Sequence, residues 1–134
     1  MKILLTLATS LAVLSGPIFA HSKEITSSNV QSVIDDCNAG NGNSCQAMGD
    51  LLRMRDKAAA AGQKVDLELS MKYYERACSL GDIGACESKN YLYADKKFSG
   101  YDPKKAVPFF QAQCAKKGEG SGACQTLKRL PKDQ

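Results

Sequence analysis

The sequence predicts an all-α fold, an αα-hairpin solenoid in which short helix hairpins stack side by side. Three observations carry that expectation. Six cysteines fall in three closely spaced pairs whose surroundings recur along the chain. The segments flanking each pair place apolar residues at the spacing of one helix face. No segment alternates apolar and polar residues as a half-buried strand would.

Composition bounds the problem first. At 134 residues, 43% hydrophobic and 24% charged, the chain has room for one small domain with an ordinary core. A net charge of +4, with basic residues spread along the chain, calls for no nucleic acid. The single histidine, His21, excludes a His-rich metal site and most His-based catalytic sets.

Residues 1–20, MKILLTLATSLAVLSGPIFA, have a basic start, an apolar run and a helix break at Gly16-Pro17 before Ala20. That pattern is a secretory signal peptide, cleaved after Ala20. The first cysteine is Cys37, so no lipoprotein anchor is expected, and no membrane anchor remains after cleavage. Residues 21–26 form a flexible leader, 27–131 the folded domain and 132–134 a tail. The expected location is periplasmic or secreted. In an oxidising compartment six cysteines are most economically three disulfides, with fifteen formal pairings.

Spacing narrows the pairings to Cys37/Cys45, Cys78/Cys86 and Cys114/Cys124. Seven residues separate the first two pairs and nine the third. Gly40, Gly81 and Gly118 follow the first cysteine of each pair, and Ser44, Ala85 and Ala123 precede the second. Asp66 stands seven residues before Tyr73-Tyr74 and twelve before Cys78; Asp102 holds the same register to Phe109-Phe110 and Cys114. First cysteines are 41 and then 36 residues apart, in the range of helical-hairpin repeats.

The elements follow in order. Val30, Val33, Ile34 and Cys37 make one apolar stripe behind an N-cap at Ser27 or Ser28. From Cys45 a short helix turns Met48, Leu51 and Leu52 inward. Lys57 to Lys64 is a connection, or a helix tail ending at Gly62. A helix begins near Asp66 with Leu67, Leu69, Met71, Tyr74, Ala77 and Cys78 on its apolar side. Another runs from about Cys86 to Lys96. Asp102 followed by Pro103 starts the next, to about Lys116, with Pro108 expected to kink it. Leu127 and Leu130 mark a closing half-helix stopped by Pro131.

In each unit one helix ends at the first cysteine, the chain turns at the glycine, and the next helix begins at the second cysteine. The base of such a hairpin can bring Cα atoms within the ~4.4–6.8 Å that a disulfide needs. Closing loops this short is worth roughly 2.5 kcal/mol each in the chain-entropy account. A solenoid of two hairpins buries its faces poorly, and three staples offset the missing neighbours.

The run Asp66-Leu-Glu-Leu-Ser-Met-Lys-Tyr-Tyr-Glu-Arg-Ala-Cys78-Ser-Leu-Gly-Asp-Ile-Gly-Ala-Cys86 resembles the Sel1-like repeat, a relative of the tetratricopeptide repeat. More narrowly it is similar to the disulfide-stapled form in the cysteine-rich secreted proteins of Helicobacter. The resemblance covers most of residues 30–130 and implies about two full repeats with flanking half-repeats, each stapled by a local disulfide. It implies protein binding on a curved surface and, for some members, β-lactam binding or weak hydrolysis. The family's Leu-Gly pair after the second cysteine has its counterpart in Met48-Gly49. Lys89-Asn90 and Leu127-Lys128 depart from it, which places Lys89 at a core position.

The chemistry of the chain points to binding rather than catalysis. There is no Cys-x-x-Cys and no zinc spacing, so the cysteines are structural. No serine has lysine three residues later, and neither Ser-Asp-Asn nor Lys-Thr-Gly occurs, so a serine β-lactamase set is missing. One residue of each aromatic pair should fill a hairpin core. No catalytic residue, metal ligand or cofactor is assigned. By resemblance the partner surface is lined from the helices after the second cysteines, with Gln46, Asp50, Glu87 and Tyr91 as candidates. The expected activity is that of a monomer binding a protein or peptide in the cell envelope. The alternatives are a periplasmic immunity protein that neutralises a toxic effector and a β-lactam-active protein.

Overall fold

The computed structural model describes residues 24–131. The signal peptide at 1–20, His21 with the first part of the leader, and the 132–134 tail lie outside the described residues. Seven helices and no strand occur within them: α1 Val30–Asn38, α2 Gly42–Arg53, α3 Arg55–Ala60, α4 Leu67–Ser79, α5 Ile83–Tyr93, α6 Pro103–Lys117 and α7 Gly122–Arg129. None is long and apolar enough to cross a membrane.

The cysteines pair locally, Cys37–Cys45, Cys78–Cys86 and Cys114–Cys124, with Cα separations of 4.7, 4.7 and 4.6 Å. These bonds join α1 to α2, α4 to α5 and α6 to α7. Three disulfides fit a secreted or extracellular protein.

The turns explain why the pairs recur. Gly40 and Gly81 adopt φ of 99° and 91°, a left-handed conformation that residues with a Cβ resist. The backbone there reverses with the same bonds: Gly40 and Gly81 N–H donate to Cys37 and Cys78 O, both at 3.0 Å, and the next N–H reaches one carbonyl further back. That next residue then opens the following helix. The Asn41 side chain accepts from Ser44 N–H, and that of Asp82 from Ala85 N–H. One Gly-Asx dipeptide thus stops a helix and starts its partner. In the third unit Glu119-Gly120 lengthens the turn, and Ser121 caps α7 by accepting from Cys124 N–H.

Several boundaries differ from the sequence expectation for the same reason. Helices α2, α5 and α7 begin two or three residues before their cysteine, because the capping residue follows the turn directly. Helix α1 is entered through Asn29 rather than Ser27 or Ser28; the Asn29 side chain accepts from Thr26 N–H at 2.8 Å and donates to Glu24 O. The alanine-rich connection forms α3 of its own, buries Ala58 and Ala61, and stops at Gly62 with φ 67°. Leu69 is 39% exposed and lies off the buried face of α4.

Packing is between neighbours. Helix α2 packs on α1, α3 and α4, and more lightly on α5; α4 packs on α5, α5 on α6 and α6 on α7. Three apolar clusters result. Val30, Met48, Leu51, Leu52 and Ala58 join α1, α2 and α3. Tyr74, Met71, Ala77, Leu92 and the first disulfide fill the middle. Ala106, Phe110, Ala123 and Leu130 close the C-terminal end. Tyr74 and Phe110 are fully buried while Tyr73 and Phe109 are half-buried, so the second aromatic of each pair is the core residue.

Candidate functional site

The four partner-surface candidates occupy two equivalent positions. Gln46 and Glu87 follow their cysteine by one residue, and Asp50 and Tyr91 by five, which puts each pair on one face of α2 and of α5. All four are half-buried, and each is engaged by the neighbouring unit. The Tyr74 hydroxyl of α4 donates to Asp50 Oδ1 at 2.6 Å. Tyr91 meets Phe110 of α6 edge-on, with ring centroids 4.9 Å apart. Tyr74 stands to Cys78 as Phe110 stands to Cys114, so one contact recurs in two chemistries, hydroxyl to carboxylate and then ring to ring.

The first position is also a seam. Gln46, with its amide nitrogen turned towards Asp82, donates to both carboxylate oxygens at 2.9 and 3.0 Å. Gly84 lets it approach, since a Cβ there would fall 2.8 Å from the Gln46 amide. Asp82 therefore caps α5 and receives α2 at the same time. Glu87 lies 3.9 Å from Lys117 Nζ at the end of α6, a long and partly exposed pair of little energetic weight. Most of what looks like a free surface in sequence thus holds the units to one another.

The closest approach is between α2 and α4. The buried Ser70 hydroxyl donates to Gly49 O at 2.7 Å, and a Cβ on Gly49 would sit 2.6 Å from the Tyr74 ring. Burial, reinforced by Asp50, pushes the Tyr74 hydroxyl up to about 12. Ser70, the best-buried serine, is consequently a structural donor and not a nucleophile. At the matching position in α5, Asn90 is buried and donates to Cys86 O at 2.8 Å. Lys89, the counterpart of Met48, is only half-buried, so its ammonium escapes the core.

The open surface lies further along. Helices α5 and α7 do not pack on each other, and the gap between them is a groove of about 360 Å³. Its inner wall is Tyr91 and Ala94, and its far wall Thr126, Arg129 and Leu130. The loop after α5 contributes Asp95, Lys96 and Tyr101. Of the four partner-surface candidates Tyr91 alone lines the groove. Arg129 follows Cys124 by five residues, the position of Asp50 and Tyr91, and that register was the available signal. Among the described residues no group of three His, Cys, Asp or Glu side chains is placed to hold a metal ion. Comparison of the chain with protein-family profiles, with curated proteins and with solved structures finds no match.

Proposed function

We propose that this is an exported Sel1-like αα-hairpin solenoid, of about two full repeats between half-repeats, that binds a protein or peptide partner in the periplasm or cell envelope. The observation that carries the reading is the recurrence of one inter-unit contact, Asp50–Tyr74 and Tyr91–Phe110, at identical offsets from the disulfides. Stacking of like units by like contacts is the mark of repeat proteins, whose extended faces serve recognition. The groove between α5 and α7 supports the same reading, because the candidate residue Tyr91 lines it together with Tyr101, Lys96 and Arg129.

Affinity purification of the exported, oxidised protein from periplasmic extract, followed by mass spectrometry, tests the proposal. A stoichiometric protein partner that a peptide of its own sequence displaces is the expected result. A partner that proves to be a toxic effector narrows the role to an inhibitor of that effector. Turnover of a chromogenic β-lactam by the purified protein, with no partner recovered, overturns the binding role.

A further inference from the structure

We propose that the groove between α5 and α7 is a subsite for a carboxylate carried on a peptide beside an aromatic or apolar side chain. The inference rests on the partner-binding reading and specifies its chemistry.

The groove exists because the third unit is built differently. Helix α2 reaches α5 through Gln46 and Asp82, but among the described residues no hydrogen bond joins α5 to α7, and Tyr91 beside Gly122 marks where the two come nearest. The turn before α7 carries Glu119-Gly120 in excess of the other two turns. Tyr91, held edge-on by the buried Phe110 behind it, lines the groove. The resulting space is at the lower end of the ~300–1,000 Å³ found for small-ligand pockets, which suits one or two residues of a peptide.

Its charges are unbalanced. Lys96 and Arg129 both line it, both are exposed, and neither makes an ion pair among the described residues. The single acid, Asp95, already accepts from Lys97 N–H at 3.0 Å through Oδ1. Two cations against one acid in the lining favour an anion, and the planar fork of arginine favours a carboxylate. The Tyr91 and Tyr101 rings with Leu130 supply apolar contact next to it, and the Thr126 hydroxyl a further polar group. A bare inorganic anion leaves that apolar wall unused; a peptide with an acidic group and a neighbouring ring covers both.

The carboxylate can be a chain terminus or an acidic side chain, and three dipeptide probes separate the two. Acetyl-Phe-Ala with a free terminus, acetyl-Phe-Glu-amide and the uncharged acetyl-Phe-Ala-amide are titrated into the full, oxidised chain, isotopically labelled and followed by NMR. At least one carboxylate probe is expected to shift Tyr91, Tyr101 and Thr126 at millimolar concentration, and which one does so identifies the source. The neutral amide should bind about tenfold more weakly or worse, and a K96A/R129A chain with unchanged spectral dispersion should lose the same factor. No shift at those residues with either carboxylate probe, or equal binding of the neutral amide, overturns the proposal. An envelope partner captured equally by the K96A/R129A and unaltered chains also overturns it while leaving the binding role intact. Probe binding with no partner recovered overturns the binding role and keeps the subsite.

Discussion

Tyr74 is held by more constraints than any other side chain in the domain. Its ring lies against Gly49, its hydroxyl donates to Asp50 at 2.6 Å, and it is fully buried. Ionising it would place an anion in a dry site beside a carboxylate, which raises its pKa from 10.0 to about 12. The raised value belongs to the folded state, so the stability it represents is complete below pH 10 and is lost as pH rises towards 12. Ultraviolet titration of the folded protein should show one tyrosine ionising in that upper range, and Tyr74→Phe should remove it. The same substitution strips Asp50 of its donor and should cost about 1 kcal/mol in denaturant unfolding at neutral pH. Gly49→Ala acts by sterics instead. Its Cβ would fall 2.6 Å from two ring atoms, and the ring is walled in, so α2 and α4 must separate at a cost of ~1–3 kcal/mol.

At the scale of the helix, α6 contains its own flaw. Pro108 is the sixth residue of a fifteen-residue helix, is exposed, and has no N–H for the Lys104 carbonyl. Pro108→Ala restores that bond and removes the ring's clash with the preceding turn, while the unfolded chain gains back some freedom. The balance should stabilise the domain by about 1–2 kcal/mol and raise its midpoint in thermal unfolding. The helices themselves were legible because their stop and start signals are chemical: a glycine in left-handed conformation, then Asn41 or Asp82 as cap. Placing the starts at the cysteines missed those caps, although the residues stood in plain sight. Periodicity alone turns Leu69 inward and the resemblance alone places Lys89 in the core; which flank of an apolar stripe meets a neighbour depends on the crossing of two helices, and a single segment does not encode that.

Across the whole molecule the disulfides differ in shelter more than in spacing. Cys37 and Cys45 are fully buried, Cys124 nearly so beside a half-buried Cys114, while Cys78 and Cys86 are both half-buried. Thiol reductants need access to sulfur, so graded reduction with alkylation and peptide mapping should open Cys78–Cys86 first and Cys37–Cys45 last. The candidate surface was legible only in part. The resemblance offers Gln46, Asp50, Glu87 and Tyr91 as one face, but whether such a face is free depends on where the next unit lands, and there it lands on most of it. The groove arises where α7 stands off from α5, which composition and period do not report. The local pairing has a kinetic consequence. Each disulfide closes a hairpin of two helices consecutive in the chain, and such local contacts form in about microseconds to milliseconds, whereas disulfides take seconds to hours. The hairpins therefore bring each cysteine to its mate before any oxidant arrives, and wrong pairings are avoided by speed of folding rather than corrected by reshuffling.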